Sequence, residues 1–233
     1  MRISDRLTAI CRAAEPGESV ADIGTDHGYV PYMLYRDGTA PKVIMSDVSA
    51  GSLAKAKQTF AEHETKVPED WFRVGDGLDT IGPGEVDTVI IAGLGGRTII
   101  DILSADPDKT RTVHRLILQP RNAAGTVRFW LFTHGFRICE EILAKEGKFV
   151  CEVISAVSGA SEPTAPPYPE DDIRWAYPEM FRSCDAALLR ERIGWKLSSI
   201  EEEVTNLRQS STDQSERIRR LSADADYLRR FIE

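Results

Sequence analysis

No run of about 18 apolar residues occurs in this 233-residue chain, so no segment is expected to cross a membrane as a helix. The opening Met1-Arg2-Ile3-Ser4-Asp5-Arg6 lacks the apolar core of a secretory signal, which makes the cytoplasm the expected location. Cysteine is scarce. Cys11, Cys139, Cys151 and Cys184 are scattered without Cys-x-x-Cys spacing, and read as reduced, mostly buried thiols rather than a disulfide frame or a zinc site. Histidine is equally sparse and dispersed, with 4 in the chain, so no metal centre is expected. Basic residues are outnumbered, 29 Lys and Arg against 37 Asp and Glu, giving a formal net charge of -8. That argues against nonspecific nucleic-acid binding by the surface as a whole, because such binding depends on Lys and Arg neutralising phosphates. A local basic face remains open. The 28% charged and 42% hydrophobic composition is that of a folded chain, long enough for one α/β domain and a smaller appendage.

Apolar, β-branched runs alternate with helical patterns. An opening helix is predicted over 4–14, with Ser4 as its cap. Strands are predicted over 19–24, 42–48, 71–74, 86–92 and 115–119, with helices over 29–37, 49–63, 97–104 and 124–133 between or after them. Two consecutive strands follow, 136–144 and 148–157, turning at Glu146-Gly147. The alternation implies a parallel sheet covered on both faces, and the closing pair implies an antiparallel hairpin at one edge. Residues 159–178 are rich in Pro and then in acids, and read as a linker or ordered loop. Beyond them, Ile193, Leu197, Ile200, Val204 and Leu207 recur at helical spacing, as do Ile218, Leu221, Ala225, Leu228 and Ile232. The polar stretch 209–214, where Ser211, Thr212 or Asp213 can cap a new helix, suggests two helices packed as an antiparallel, coiled-coil-like hairpin; one continuous helix is the competing expectation. The division is then 1–160, a linker over 161–177, and a helical hairpin over 178–233.

Five loops follow the predicted strands. Asp22-Ile-Gly24-Thr25-Asp26-His27-Gly28-Tyr29 ends the first. Its glycines allow close backbone approach, but Asp26 stands where the dinucleotide fingerprint has a middle glycine. The acid Asp22 suits a cationic ligand end, such as the ammonium group of S-adenosylmethionine; a plain strand–helix turn with solvated acids is the rival. Asp47, about 20 residues on, has the spacing of a ribose-binding acid, a carboxylate being able to accept two hydrogen bonds from a vicinal diol. It could instead cap the next helix, a role open to Ser49. Gly75-Asp76-Gly77-Leu78 could hold an adenine, Asp76 accepting from the amino group, or be an ordinary turn. Ala92-Gly93-Leu94-Gly95-Gly96 carries more glycine than a βα loop needs. Gln119 and Asn122, in Leu118-Gln119-Pro120-Arg121-Asn122, could pair with a base edge or be surface amides. Each signal is weak alone; together they occupy the C-terminal ends of successive parallel strands, where open α/β sheets bind ligands.

With these motifs set side by side, the chain resembles the bacterial tRNA (adenine-N1)-methyltransferases that modify the adenine at position 22, over roughly residues 2–157. The resemblance rests on Asp-Ile-Gly-Thr-Asp-His-Gly-Tyr-Val-Pro, Ser-Asp-Val, Gly-Asp-Gly-Leu, Ala-Gly-Leu-Gly-Gly and Leu-Gln-Pro. It implies a class I S-adenosylmethionine-dependent, Rossmann-like fold with a C-terminal helical, coiled-coil-like unit, and a cytoplasmic, monomeric enzyme acting on tRNA. Asp22, Gly24, Thr25 and Asp26 would then face the methionine end of the cofactor. Asp47 and Val48 would lie at the ribose, Asp76, Gly77 and Leu78 at the adenine, and Ala92, Gly93, Leu94 and Gly95 near the transferred methyl. Asp26 and Tyr29 are the expected catalytic residues, and His27, Tyr29, Gln119 and Asn122 the expected contacts to the target base; no metal is implied. Two departures stand out: Arg121 intervenes between Leu-Gln-Pro and Asn122, and the tail has no lysine-rich face.

The expected reaction is direct methyl transfer to adenine N1, with a carboxylate near the cationic product. Asp26 could instead order its loop and Tyr29 pack in the core. Arg217, Arg219, Arg220, Arg229 and Arg230 are candidates for phosphate contacts or for a solvated face paired with local acids. The rival functions are methylation of another RNA position or a small molecule, and a non-catalytic S-adenosylmethionine-binding regulatory module.

Overall fold

The structure is a computed structural model that describes residues 3–159, 165–210 and 212–233. The domain boundary at 160, the linker residues 161–164 and the candidate cap Ser211 lie outside the described residues.

A seven-stranded sheet in the order β3-β2-β1-β4-β5-β7-β6 organises the first two thirds of the chain. Its strands are β1 (Val20–Ile23), β2 (Val43–Asp47), β3 (Phe72–Val74), β4 (Thr88–Leu94), β5 (Arg115–Pro120), β6 (Arg137–Glu146) and β7 (Phe149–Val157). The first five are parallel: Val20 stands in register with Val43 on one side and Thr88 on the other. β7 runs antiparallel to both β5 and β6, which is the predicted hairpin, joined at Gly147-Lys148 with Gly147 at φ +59° as a two-residue turn requires. All four residues of β1 are buried, as expected for a strand covered on both faces. This is a Rossmann-like sheet, and chain order reverses at β1, between β2 and β4, which opens a crevice at the strand ends there.

Two apolar clusters cover the sheet. α1 (Asp5–Arg12), α2 (Tyr29–Arg36) and α3 (Ala50–Glu62) pack Ile10, Leu34, Leu53 and Phe60 over Met45 and Ile90 on one face. α4 (Gly96–Ala105) and α6 (Ala124–Thr133) pack Ile99, Leu103, Val127 and Leu131 over Ile91 and Leu116 on the other. Ser4 caps α1 by accepting from the Leu7 amide, 3.4 Å. Within the sheet domain one helix departs from expectation: α5 (Pro107–Thr112) is too short for a period to show, though Asp106 accepts from the Lys109 amide at 2.9 Å and Pro107 sits in its first turn, a helix-start pattern. The four cysteines are unbridged and partly buried, with Cys11, Cys151 and Cys184 packed at the margins of apolar clusters.

The stretch read as a linker contains a turn of helix, α7 (Ile173–Ala176), started by Asp172. It lies against α6, where a side chain at Gly125 would come within 3.1 Å of the Ala176 amide, so the chain is fastened there. α8 (Ala186–Arg208) and α9 (Ser215–Arg229) follow, two helices and not one. Asp185 caps α8 through the amides of Ala187 and Leu188. Their apolar residues join the ends of β6 and β7 in a third cluster that includes Leu143, Val150, Phe181, Ile193 and Leu228. Arg217 and Arg229, near opposite ends of α9, reach Glu203 and Glu201 of α8. Two acids so close together meeting residues about 18 Å apart along a helix means that α9 crosses α8 there.

A buried charge cluster ties this unit to the sheet. Arg128 of α6 is 1% exposed and forks onto Glu141 of β6 at 2.7 and 2.9 Å. It also pairs with Glu152 of β7 and donates to the Trp175 carbonyl at 3.1 Å. Glu152 is shared with Arg192 of α8. Burial pushes Glu141 up against the pull of Arg128.

Candidate active site

At the reversal in strand order, the ends of β1, β2, β4 and β5 open into a cleft of about 1620 Å³. Asp22, Asp47 and Asp76 all line it, so three acids separated by about 25 residues each in sequence share one wall.

Asp22, within β1, is 6% exposed and accepts a 2.7 Å hydrogen bond from the Thr25 hydroxyl. Burial pushes its carboxyl up to about 6, with nearby Asp47 adding to the rise and the Thr25 bond and Arg6 opposing it. A buried carboxylate held at that cost favours a cationic partner. The loop that follows is built by backbone. The Ser46 carbonyl accepts from the amides of Gly24 and Thr25 at 2.8 and 3.0 Å. Gly24, Asp26 and Gly28 have positive φ. At Gly28 a side chain would also meet the Ala56 Cβ at 2.8 Å, so glycine lets α2 start directly against α3.

Asp26, where a dinucleotide loop would have glycine, adopts φ +44°. Its carboxylate is exposed and paired with Lys55 at 2.9 Å, and His27 Nε2 lies 3.7 Å away. The His27 and Tyr29 rings stack, 5.2 Å apart and 12° from parallel. Both line the cleft, and neither is a core residue.

Asp47 is not left free by its neighbour. Ser49 does cap α3, yet Asp47 Oδ1 accepts from the Ser49 amide at 2.8 Å and Oδ2 from the Asp26 amide at 3.3 Å. Val48 beside it is 68% exposed and presents a bare apolar surface to the cleft. Asp76 makes no side-chain hydrogen bond among the described residues, and Gly77 turns the chain at φ +47° against Ile102. Leu78 is buried behind this wall, its carbonyl accepting from Lys109 at 3.0 Å.

The glycine-rich segment after the fourth strand is partly strand. β4 continues to Leu94, with a bulge at Gly93 (φ +77°) that shifts its register against β5; bulges of this kind re-aim a chain beside a site. Ala92, Gly93 and Leu94 line the cleft, while Gly95 stands back as the cap of α4. Gly96 has a separate reason: a Cβ there would lie 2.6 Å from the Asn122 carbonyl.

Gln119 is 2% exposed. Its Oε1 accepts from the Gly93 amide at 3.1 Å and from Arg6 at 3.3 Å, and its Nε2 donates to the Pro120 carbonyl at 3.2 Å. Asn122 Oδ1 accepts from the Gly96 amide at 3.1 Å. Both amides therefore brace the glycine segment, and Asn122, which lines the cleft, makes no hydrogen bond through Nδ2 among the described residues. Sequence reasoning missed Arg6, which comes from α1, far from any strand-end motif, and Lys55, whose pairing to Asp26 no local pattern announces. Ser46 could have been read from its place beside Asp47. Of the tail arginines, Arg217, Arg220 and Arg229 are paired with acids. Among the described residues no cluster of three or more His, Cys, Asp or Glu could hold a metal, and no helix is long and apolar enough to cross a membrane.

Residues 3–154 match the family described as a methyltransferase domain. A tRNA (adenine(22)-N(1))-methyltransferase of Bacillus subtilis is 34% identical over 159 residues, 68% of this chain and 66% of that protein. A putative tRNA methyltransferase of Mycoplasma genitalium is 28% identical over 58% of this chain and 60% of its own length; the match thus spans less than two thirds of these curated relatives. Among solved structures, the B. subtilis M1A22 tRNA methyltransferase superposes with a TM-score of 0.81 at 26% identity, covering 100% of this chain and 99% of that one. A putative tRNA (m1A22) methyltransferase of Streptococcus pneumoniae in complex with S-adenosyl-L-methionine gives 0.75 at 25% identity, covering 100% of both.

Proposed function

Because the chain belongs to the methyltransferase-domain family, we propose that it transfers a methyl group from S-adenosylmethionine to N1 of the adenine at position 22 of tRNA. One observation carries the reading: buried Asp22, diol-ready Asp47 and unpartnered Asp76 line a single cleft beside the exposed apolar side chain of Val48. That set of acceptors fits an ammonium, a ribose and an adenine in turn, and the curated and solved relatives above carry the corresponding names.

Bound in the cleft, S-adenosylmethionine supplies an electrophilic methyl on a sulfonium. Asp22 and the Gly24–Thr25 backbone hold the methionine end, Asp47 the ribose, and Asp76 with Gly77 the adenine, over Leu78. Gly93, braced by Gln119, and Leu94 would wall the cleft near the transferred methyl. Adenine N1 attacks through its own lone pair, so no base need act before transfer. The N–C bond would form as the sulfur–methyl bond breaks, its electron pair returning to sulfur so that a neutral thioether leaves; the positive charge passes to the target ring, where the Asp26 carboxylate would offset it. Tyr29 and His27, already stacked, offer a face for the base, and Asn122 a donor for its edge. N1 lies on the pairing edge, so the adenine must be unpaired or extruded to reach them. The crossed helices α8 and α9, expected from sequence as a coiled-coil-like hairpin over 178–233, would hold the tRNA while residues 1–160 perform the chemistry. We place this work in the cytoplasm, by a monomer without an obligate protein partner.

Incubation with labelled S-adenosylmethionine and unmodified bacterial tRNA, followed by nucleoside mass spectrometry, tests the reading. The expected product is 1-methyladenosine at position 22. Cofactor binding without label in tRNA overturns it. Asp26→Ala is expected to keep cofactor binding and lose most turnover; unchanged turnover removes Asp26 from the mechanism.

A further inference from the structure

Only two of the large apolar side chains left exposed among the described residues are aromatic, Phe149 at 59% and Trp195 at 47%, and they face each other. Phe149 begins β7 at the hairpin tip, Trp195 lies on α8, and their rings meet edge to face at 6.5 Å. Each ring also has a lysine: Lys148 Nζ stands 5.3 Å from the Phe149 ring and Lys145 Nζ 5.6 Å from the Trp195 ring. Lys145 is paired with Glu191, but Lys148 and Lys196 have no acid within ion-pair distance among the described residues. Both rings, with Lys196 and Arg192, line the same cleft as the three acids. In a chain of net charge -8, a pair of exposed rings flanked by cations is a local exception to the surface.

Arg6 joins this patch to the methyl-transfer end. It donates to Gln119 Oε1 at 3.3 Å and pairs with Glu146 at 3.5 Å, and Glu146 is the residue opposite Phe149 in the hairpin register. The aromatic pair therefore sits one side chain beyond the wall that Gln119 braces.

We propose that Phe149 and Trp195 form a stacking platform for an RNA base neighbouring the target adenine, with Lys148 and Lys196 on its phosphates. The inference rests on the tRNA reading above and specifies how that substrate is held. An adenine presenting N1 to the cleft has left its place in the stack, so the neighbouring base loses a stacking partner. Exposed aromatic faces replace that contact irrespective of base identity, and flanking cations take the backbone charge. A purely apolar partner would leave Lys148 and Lys196 facing an uncharged surface.

Steady-state kinetics on Phe149→Ala, Trp195→Ala and Trp195→Phe test the platform. The KM for tRNA is expected to rise on the order of tenfold in each alanine variant, with kcat and S-adenosylmethionine affinity near wild type. Trp195→Phe, which keeps a stacking face, is expected to recover most of the loss. Binding of tRNA should also quench the tryptophan fluorescence of the wild-type protein more than that of Trp195→Phe. Methyl transfer by the wild-type protein with an unmoved KM in both alanine variants overturns the platform alone. A KM change that tracks a change in solution mass assigns the patch to self-association and overturns it too. No transfer to tRNA by the wild-type protein overturns the functional reading, and this inference with it.

Discussion

Replacing Arg128 with methionine removes the centre of the buried charge cluster while keeping a side chain of similar length. Glu141, 5% exposed, then has no bonded cation, while Glu152 keeps Arg192. Breaking one partner of a buried pair costs about 3–5 kcal/mol, and the surviving Glu152–Arg192 contact places this case near about 3 kcal/mol. Unfolding entropy of about 2.1 cal/mol/K per residue gives about 0.5 kcal/mol/K for a chain of this size, so the melting temperature should fall by about 6 °C. The loss should depend on pH. Burial already raises Glu141 above its ordinary 4.5, and without Arg128 only the weaker pull of the more distant Arg192 opposes that rise. The folded variant then binds a proton that the unfolded chain releases, so its deficit is full at neutral pH and shrinks as the pH falls toward the carboxylate range. Thermal melts by circular dichroism at pH 7 and pH 5 provide the measurement. The double variant Arg128→Met, Glu141→Leu should recover much of the loss, because it removes the stranded charge. A single variant melting within about 1 °C of wild type at pH 7, or a deficit that grows on acidification, refutes the reasoning.

Three other expectations follow from the site. Asp22, pushed up to about 6 by burial, must be ionised to hold an ammonium, so calorimetric affinity for S-adenosylmethionine should weaken as pH falls through 6; Asp22→Asn should bind more weakly with a flatter profile, and a flat wild-type profile would contradict the assignment. The same raised carboxyl should make the ligand-free protein gain stability from this group as pH falls from about 6 toward the unfolded value of 3.8, and lose it as pH rises. Gly28→Ala combines φ +65° with a 2.8 Å approach to Ala56, and should cost about 1–3 kcal/mol. Ala56→Gly in the same chain should restore part of that by relieving the clash and leaving the backbone strain, whereas a Gly28→Ala protein that melts as the wild type does would show that α2 and α3 can separate freely there.

Much of the architecture was legible because its elements are long enough to show a period. The helix at 124–133 and the antiparallel strands at 137–146 and 149–157 fall within a residue or two of where apolar spacing and the Glu146-Gly147 turn put them. α5 and α7 were not legible, since six and four residues hold less than two turns, and only Asp106-Pro107 and Asp172 mark them. The strand-end acids were readable as a set because they recur at successive βα junctions. What each one touches was not readable. Asp47 holds two amides, one of them 21 residues away in sequence; Asp26 meets Lys55 across 29; Gln119 is braced by Arg6 across 113. Arg128 gave no sign of burial, because charges on an exposed helix face and charges at the centre of a cluster are written with the same letters, and its acids stand on two later strands.

The two amides on Asp47 have a kinetic consequence. Each takes one lone pair on a different carboxylate oxygen, and each oxygen keeps another. A ribose diol brings two donors, so under the proposed function its arrival adds bonds and breaks none. The loop after β1 and the start of α3 are already stapled together before any ligand enters, and stay stapled after the product departs. Exchange of spent for fresh cofactor then requires no refolding of this loop, and the cycle time is left to the slower business of finding and releasing a macromolecule.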